Sequence, residues 1–239
     1  MGITNFLNAA FGGAVASVMH SMGLHADPAS VFSNTFSVEL LIATGLIAFF
    51  VLVRVTLSVE KPGPAQQVAE LIHGFTGSQA ESVIGHGYER FQAFITCIGL
   101  FVLICNLAGL IPGLESPTSV PVVPLGLAIL AFVYYNFNGL RANGFVGYLK
   151  QFAGPVWWLI PLLFPIEIVS HLARIMSLTI RLYANMFAGD QVTMVFFSLF
   201  PVGLPAIFLG MHFFVSIIQA FVFMLLTTIY LSLAVAHEH

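Results

Sequence analysis

Charge is what this sequence has least of. Of its 239 residues 7% are charged, where an ordinary soluble domain carries about 25%. With 59% hydrophobic residues the chain cannot cover its surface with water-binding groups, and a soluble globular domain is excluded. Its seven lysines and arginines form no run, and the formal net charge is -3. Nothing here answers the phosphate backbone of a nucleic acid, and no such partner is expected. The two cysteines, Cys97 and Cys105, share one apolar segment. Helical spacing sets them about 12 Å apart, too far for a disulfide within the helix, so both are read as small buried hydrophobes. Neither an H-E-x-x-H zinc motif nor a G-x-S-x-G nucleophile turn occurs, which argues against an intramembrane hydrolase. A short apolar stretch with a basic flank and a small-residue cleavage site is also missing, and no removed signal peptide is expected. His237 and His239 at the terminus are read as solvated, so no metal and no cofactor are expected.

What the sequence does have is apolar runs long enough to cross a hydrocarbon core of roughly 30 Å, which takes about 20 helical residues. The expected fold is an all-α polytopic membrane protein with about five membrane-embedded helices and one interfacial amphipathic helix. Residues 1–35, with Gly12, Gly13, His20, His25 and Pro28, lack a clear span and read as an irregular or interfacial lead-in. Residues 36–239 read as a single membrane domain. Its spans fall near residues 36–59, 91–111, 120–137, 155–200 and 203–236. Between the first two, residues 64–84 repeat Val68, Leu71, Ile72 and Phe75 at helical spacing among polar residues, the pattern of a helix lying in the membrane interface.

The fourth apolar run is too long for an upright span. Helical from Pro165 to residue 200, it measures about 54 Å, and a 30 Å core would demand a tilt above about 50°. The last two helices are therefore expected to form a long, steeply inclined hairpin, whose broad face implies a large partner within the membrane. Arg54, Lys61, Arg90, Arg141 and Lys150 all fall at span ends or connections on one side, which the positive-inside rule makes cytoplasmic. That puts the N-terminus outside and the C-terminus inside a bacterial inner membrane.

Arg174 and Arg181 belong to no loop. Arginine at a helix centre costs about 2.5 to 3.5 kcal/mol on insertion scales, so each is a functional candidate, with snorkelling to the interface as the alternative. Snorkelling is easier for Arg174, nearer the cytoplasmic end. At 100° per residue Glu167, Ser170, Arg174, Ser177, Arg181 and Asn185 form a stripe under about 90° wide, which must face protein or water. Asp190 points the other way, so an intrahelical pair with Arg181 is excluded. On the last helix His212, Ser216 and Gln219 share a face. An antiparallel hairpin turning near Pro201 sets His212 at the depth of Asp190, and Gln219 near Asn185 and Arg181. Aspartate and histidine can exchange protons and glutamine can order water. The cluster reads as a hydrated proton path or, alternatively, as a buried network that only joins two helices. His171 is a secondary candidate beside Arg174, Ser177 and Ser216.

The stretches "SLTIRLYANMFAGD", "PIEIVS" and "HFFVSIIQAFVFMLLTTIYLSLA" resemble the subunit a family of F-type ATP synthases over nearly all of the chain after residue 36. The resemblance implies a stator subunit that offers two aqueous half-channels to a rotating ring of c subunits, with no nucleotide-hydrolysing site of its own. Its partners would be that ring, peripheral-stalk b subunits, the remaining complex and the bilayer. By resemblance Arg181 faces the ring, Asn185 neighbours it, and Glu167 lies on the cytoplasmic exit side. Asp190, His212 and Gln219 match polar positions of the outer half-channel and ring-facing helix. Asp190 stands where many members have Glu or His, and Ser119 stands near the place of an acid many members carry. A proton-coupled secondary transporter is the rival reading. It predicts two similar halves with interrupted helices, and no such symmetry is evident.

Overall fold

A computed structural model describes residues 2–21, 32–58, 60–111, 114, 116–153, 160–199 and 203–235. His25, Pro28, Pro201, His237 and His239 lie outside them. The described chain is helical: α1 (Gly2–Ser21), α2 (Asn34–Val55), α3 (Pro64–Ile84), α4 (Glu89–Ala108), a 3-10 turn (Pro117–Ser119), α5 (Val122–Ala153), α6 (Ile160–Leu199) and α7 (Leu204–Val235). Five helices, α2 and α4 to α7, are long and apolar enough to cross a membrane. The chain is an all-α, multi-pass membrane protein. It divides into two compact units, Met1–Val55 and Thr56–His239.

In the first unit the lead-in, read as irregular or interfacial, contains a helix, α1. Two glycines did not break it, because a helix tolerates glycine at about 1 kcal/mol each. Its Asn8 holds the entry to α2 from both sides, accepting from the Phe32 N–H (2.8 Å) and donating to the Phe32 carbonyl (3.3 Å). Thr4 donates to Asn34 (3.1 Å).

The second unit is a bundle of α4 to α7 with α3 against it. α4 lies along α7 so closely that a side chain at Gly99 would press on Met224, 3.2 Å away. The core joins Ile98 and Val102 of α4, Ala128 and Ala131 of α5, Leu178, Leu182 and Met186 of α6, and Phe223 of α7. Helix α3 docks on α4 by its small and polar residues. Thr76 and Thr96 share a 2.8 Å hydrogen bond, and Gln92 donates to the His73 carbonyl at 2.7 Å over the bare face of Gly77. Val68, Leu71 and Phe75 stay half or more exposed, and Phe75 also meets Phe221 of α7, their ring centroids 6.0 Å apart.

Two expectations for individual segments are corrected. The third span does not end near residue 137: it runs to Gly144, whose φ of 69° and ψ of 168° interrupt the helix and suit a residue without a Cβ, and a second helical stretch of α5 follows to Ala153. The amides of Asn136 and Asn138 donate to the Phe132 and Tyr134 carbonyls of their own helix. Cys105 is buried, but Cys97 lies exposed on the outer side of α4, where a thiol is apolar enough to face lipid.

Helix α6 runs unbroken for 40 residues, Ile160–Leu199, with Pro165 inside it. So close to the helix start, proline sacrifices a single backbone hydrogen bond. Helices α6 and α7 run antiparallel. Phe196 stacks on Phe208, Asp190 meets His212, Asn185 meets Gln219, and Arg174 lies over Tyr230. Only 6% of the apolar stretch of α6 is buried, against 44% for α4 and α7. One long side of α6 is therefore bare.

Candidate functional site

Side chains along α6 and α7 form three polar levels. At the first, Asp190 Oδ1 lies 3.7 Å from His212 Nδ1, and the imidazole is almost wholly buried. The ring sits flat against Gly189, where a Cβ would come within 3.1 Å of three ring atoms. A Cβ on Gly109 would likewise stand 2.7 Å from Ser116 Cβ and 3.4 Å from Asp190 Oδ1. A cavity of about 350 Å³ lined by Asp190, His212, Gly109, Thr193 and Ser198 opens here. Among the described residues His212 Nε2 is buried without a hydrogen-bond partner. A buried imidazole nitrogen of this kind is ordinarily met by water.

Beside this level lies a buried polar chain. Ser116 shares a 2.8 Å bond with Thr118, Thr118 donates to Asn106 Oδ1 (2.7 Å), and Asn106 donates to the Ser216 carbonyl (3.2 Å). It ties the 3-10 turn and α4 to α7 one turn below His212. Sequence reasoning passed over Asn106. The signal was an amide in an apolar span, subject to the same argument that singled out the arginines.

The middle level belongs to the stripe. Asn185 donates to Gln219 Oε1 at 2.9 Å, and Gln219 is itself buried. The Ser216 hydroxyl faces the Met186 sulfur at 3.9 Å. Arg181 is exposed, and its guanidinium reaches Ser177 at 3.4 Å. Among the described residues no carboxylate lies within ion-pair distance of it. Ser177 and Asn185 are exposed on the same bare side.

The third level lies near the start of α6. Glu167 Oε1 is 3.5 Å from His171 Nε2 and 3.9 Å from Arg174. Arg174 lies over the Tyr230 ring at 5.2 Å, and the Tyr135 hydroxyl meets His171 Nδ1 at 3.1 Å. Neither tyrosine was singled out in the sequence, since a lone tyrosine in an apolar run reads as core. Ser170 of the stripe is half-buried, and Ser119 bonds only to the Ser116 carbonyl of its own turn (2.8 Å).

Along α6, Arg181 stands about 13 Å from Asp190 and about 21 Å from Glu167. The interior between the outer levels is filled by Leu178, Leu182, Met186 and Phe223, each no more than 4% exposed. Two groups of titratable side chains are thus separated by apolar packing, with an exposed arginine on the bare side of α6 between them. No three His, Cys, Asp or Glu side chains among the described residues gather as metal ligands.

Residues 37–232 match the family described as ATP synthase A chain. The chain is 52% identical to ATP synthase subunit a of Koribacter versatilis (strain Ellin345), over 99% of this chain and 97% of that protein. It is 50% identical to ATP synthase subunit a of Solibacter usitatus (strain Ellin6076), over 90% and 92%. With ATP synthase subunit a of Sulfurimonas denitrificans it shares 39% over 85% and 91%. The chain belongs to the ATP synthase A chain family.

Proposed function

We infer that this chain is the proton-translocating stator subunit of an F-type ATP synthase, coupling proton flow to rotation of the c-ring. It conducts ions and leaves nucleotide chemistry to other subunits of the complex. The observation that carries the reading is Arg181: a fixed positive charge on the bare side of α6, between two separated polar levels. Such a charge in a membrane is kept only where a carboxylate or water meets it.

The mechanism follows from electrostatics. A carboxylate on a ring subunit can face lipid only when protonated, because a bare charge in hydrocarbon is prohibitive. A proton entering past Asp190 and His212 neutralises one carboxylate, which then turns into lipid. After nearly a full turn the carboxylate meets the inner path near Glu167 and releases its proton. Arg181 attracts the ionised carboxylate between the two paths and repels a proton that would cross directly. Asn185 and Gln219 hold the rotor-facing surfaces of α6 and α7 in register. One charge falling through 100 mV yields about 2.3 kcal/mol, so several steps are needed for each ATP.

On this reading α6 and α7 form a steeply inclined hairpin against the ring. Forty residues span about 60 Å, twice the hydrocarbon thickness. The basic residues set Lys61 and Arg141 on the cytoplasmic side of a bacterial inner membrane, with the N-terminus outside. The apolar surface outside α6 takes lipid and the membrane segments of peripheral-stalk b subunits.

The test uses inverted vesicles carrying the whole complex, comparing ATP-driven acidification and passive leak for the native chain and Arg181→Ala. The expected result is loss of pumping with the ring still co-purifying, together with increased leak. Unchanged pumping overturns the rotary role of Arg181. Pumping without an associated ring favours a carrier instead.

A further inference from the structure

The sequence marked His171 without assigning it a task, and the proton path described above does not use it. Its surroundings are specific. The residue is buried, 8% exposed, and both ring nitrogens are engaged. Nδ1 meets the Tyr135 hydroxyl of α5 at 3.1 Å, and Nε2 faces Glu167 Oε1 at 3.5 Å. Phe132 stands edge-on to the ring at 5.9 Å. Tyr135 is itself 2% exposed and so cannot swing away without opening the core. The Tyr135 hydroxyl can donate to Nδ1, which puts the ring proton on Nε2, toward the carboxylate.

We propose that His171 is a positioning residue of the inner path: held from α5 by Tyr135, it presents Nε2 to Glu167 and fixes where that carboxylate points. This rests on the reading of Glu167 as the inner exit. Among the described residues the charged and titratable groups about the imidazole include Glu167 and Arg174 on its own helix, Tyr135 on α5, and on α7 Tyr230, whose ring is 6.1 Å from Tyr135. The Pro117–Ser119 turn, which also packs on α6, brings none. An imidazole gains its second proton within about pH 5 to 8; at His171 burial and the Arg174 guanidinium oppose that gain and the Glu167 carboxylate favours it. Charged, its Nε2–H becomes the stronger donor to a carboxylate. The hold on Glu167 then tightens as the cytoplasmic side acidifies, and the exit acquires a pH response that belongs to His171.

The experiment measures initial rates of ATP-driven acidification in inverted vesicles, whose external medium bathes the cytoplasmic face, from pH 6 to 8. Native chain, His171→Gln, Tyr135→Phe and Glu167→Gln are compared, with ring co-purification as the assembly check. The rate of His171→Gln relative to native is expected to lie near one at pH 8 and to fall several-fold at pH 6, with Tyr135→Phe moving the same way. A ratio constant with pH, whether reduced or equal to native, overturns the proposal. Should His171→Gln not assemble, Tyr135→Phe decides by the same criterion. Glu167→Gln pumping as native at every pH sinks the inner-exit reading and this proposal with it. Loss in Glu167→Gln beside a pH-independent His171→Gln ratio sinks the role of His171 alone.

Discussion

Gly189 shows how little room the outer polar level has. A Cβ there would stand 3.1 Å from Cδ2, Cε1 and Nε2 of His212, closer than nearly all side-chain contacts. The ring would have to give by a few tenths of an ångström, disturbing its 3.7 Å approach to Asp190. Gly189→Ala is expected to cut ATP-driven acidification several-fold while the complex still assembles. Gly126→Ala, where nothing lies within 4 Å of the new methyl, should pump as native. Equal rates for both would mean that the close Asp190–His212 geometry does not limit proton entry. Neither glycine is distinguishable in the sequence, because both occur in apolar helices and only the neighbouring helix separates their roles. Arg181 was legible for the opposite reason: the cost of its charge in hydrocarbon is a property of the residue and its apolar neighbours.

Helix α3 raises the same contrast between elements. Its length was readable from periodicity and from Pro64 at its first position, where a missing N–H costs least. Which face meets the bundle was not. Amphipathic patterning directs attention to Val68, Leu71, Ile72 and Phe75, yet Thr76, Gly77 and Ala80 are the residues buried against the bundle, while Val68, Leu71 and Phe75 stay half or more exposed. In lipid there is little hydrophobic gain from pressing apolar side chains together, so small residues that let backbones approach, and hydroxyls that pair, decide the contact. Gly77→Leu is expected to lower the melting temperature of the purified complex, because its side chain would displace Gln92, 2.7 Å from the Cβ position. Gly74→Ala meets nothing within 4 Å and should leave the melting temperature unchanged or raise it, alanine being favoured in a helix by about 1 kcal/mol. A destabilising Gly74→Ala, or a neutral Gly77→Leu, would mean that α3 docks through another face. The polar chain through Asn106, Thr118 and Ser116 belongs to this scale as well. Its members come from separate elements, and no spacing rule connects them.

For the whole molecule, the distribution of positive charge predicts the orientation in the membrane. Lys61 is exposed in the connection before α3. In a background with Cys97 and Cys105 replaced, Lys61→Cys should react with a membrane-impermeant maleimide in inverted vesicles and stay unlabelled in right-side-out vesicles. The reverse pattern would invert the entry and exit sides assigned to Asp190 and Glu167.

The amino-acid sequence by itself determined the solvent, the number of membrane-crossing helices and the residues that lipid should not tolerate. These follow from transfer energies and periodicities that each segment carries alone. It also carried the two long terminal helices, since apolar runs interrupted only near Pro201 leave few alternatives. Only the tertiary structure decided that α1 is helical rather than irregular, that α5 continues past residue 137, and that His171 is gripped between Tyr135 and Glu167. Those outcomes depend on partners distant in sequence. A polar side chain in an apolar run ends a helix, faces water or pairs with a neighbour according to what the adjacent helix offers it.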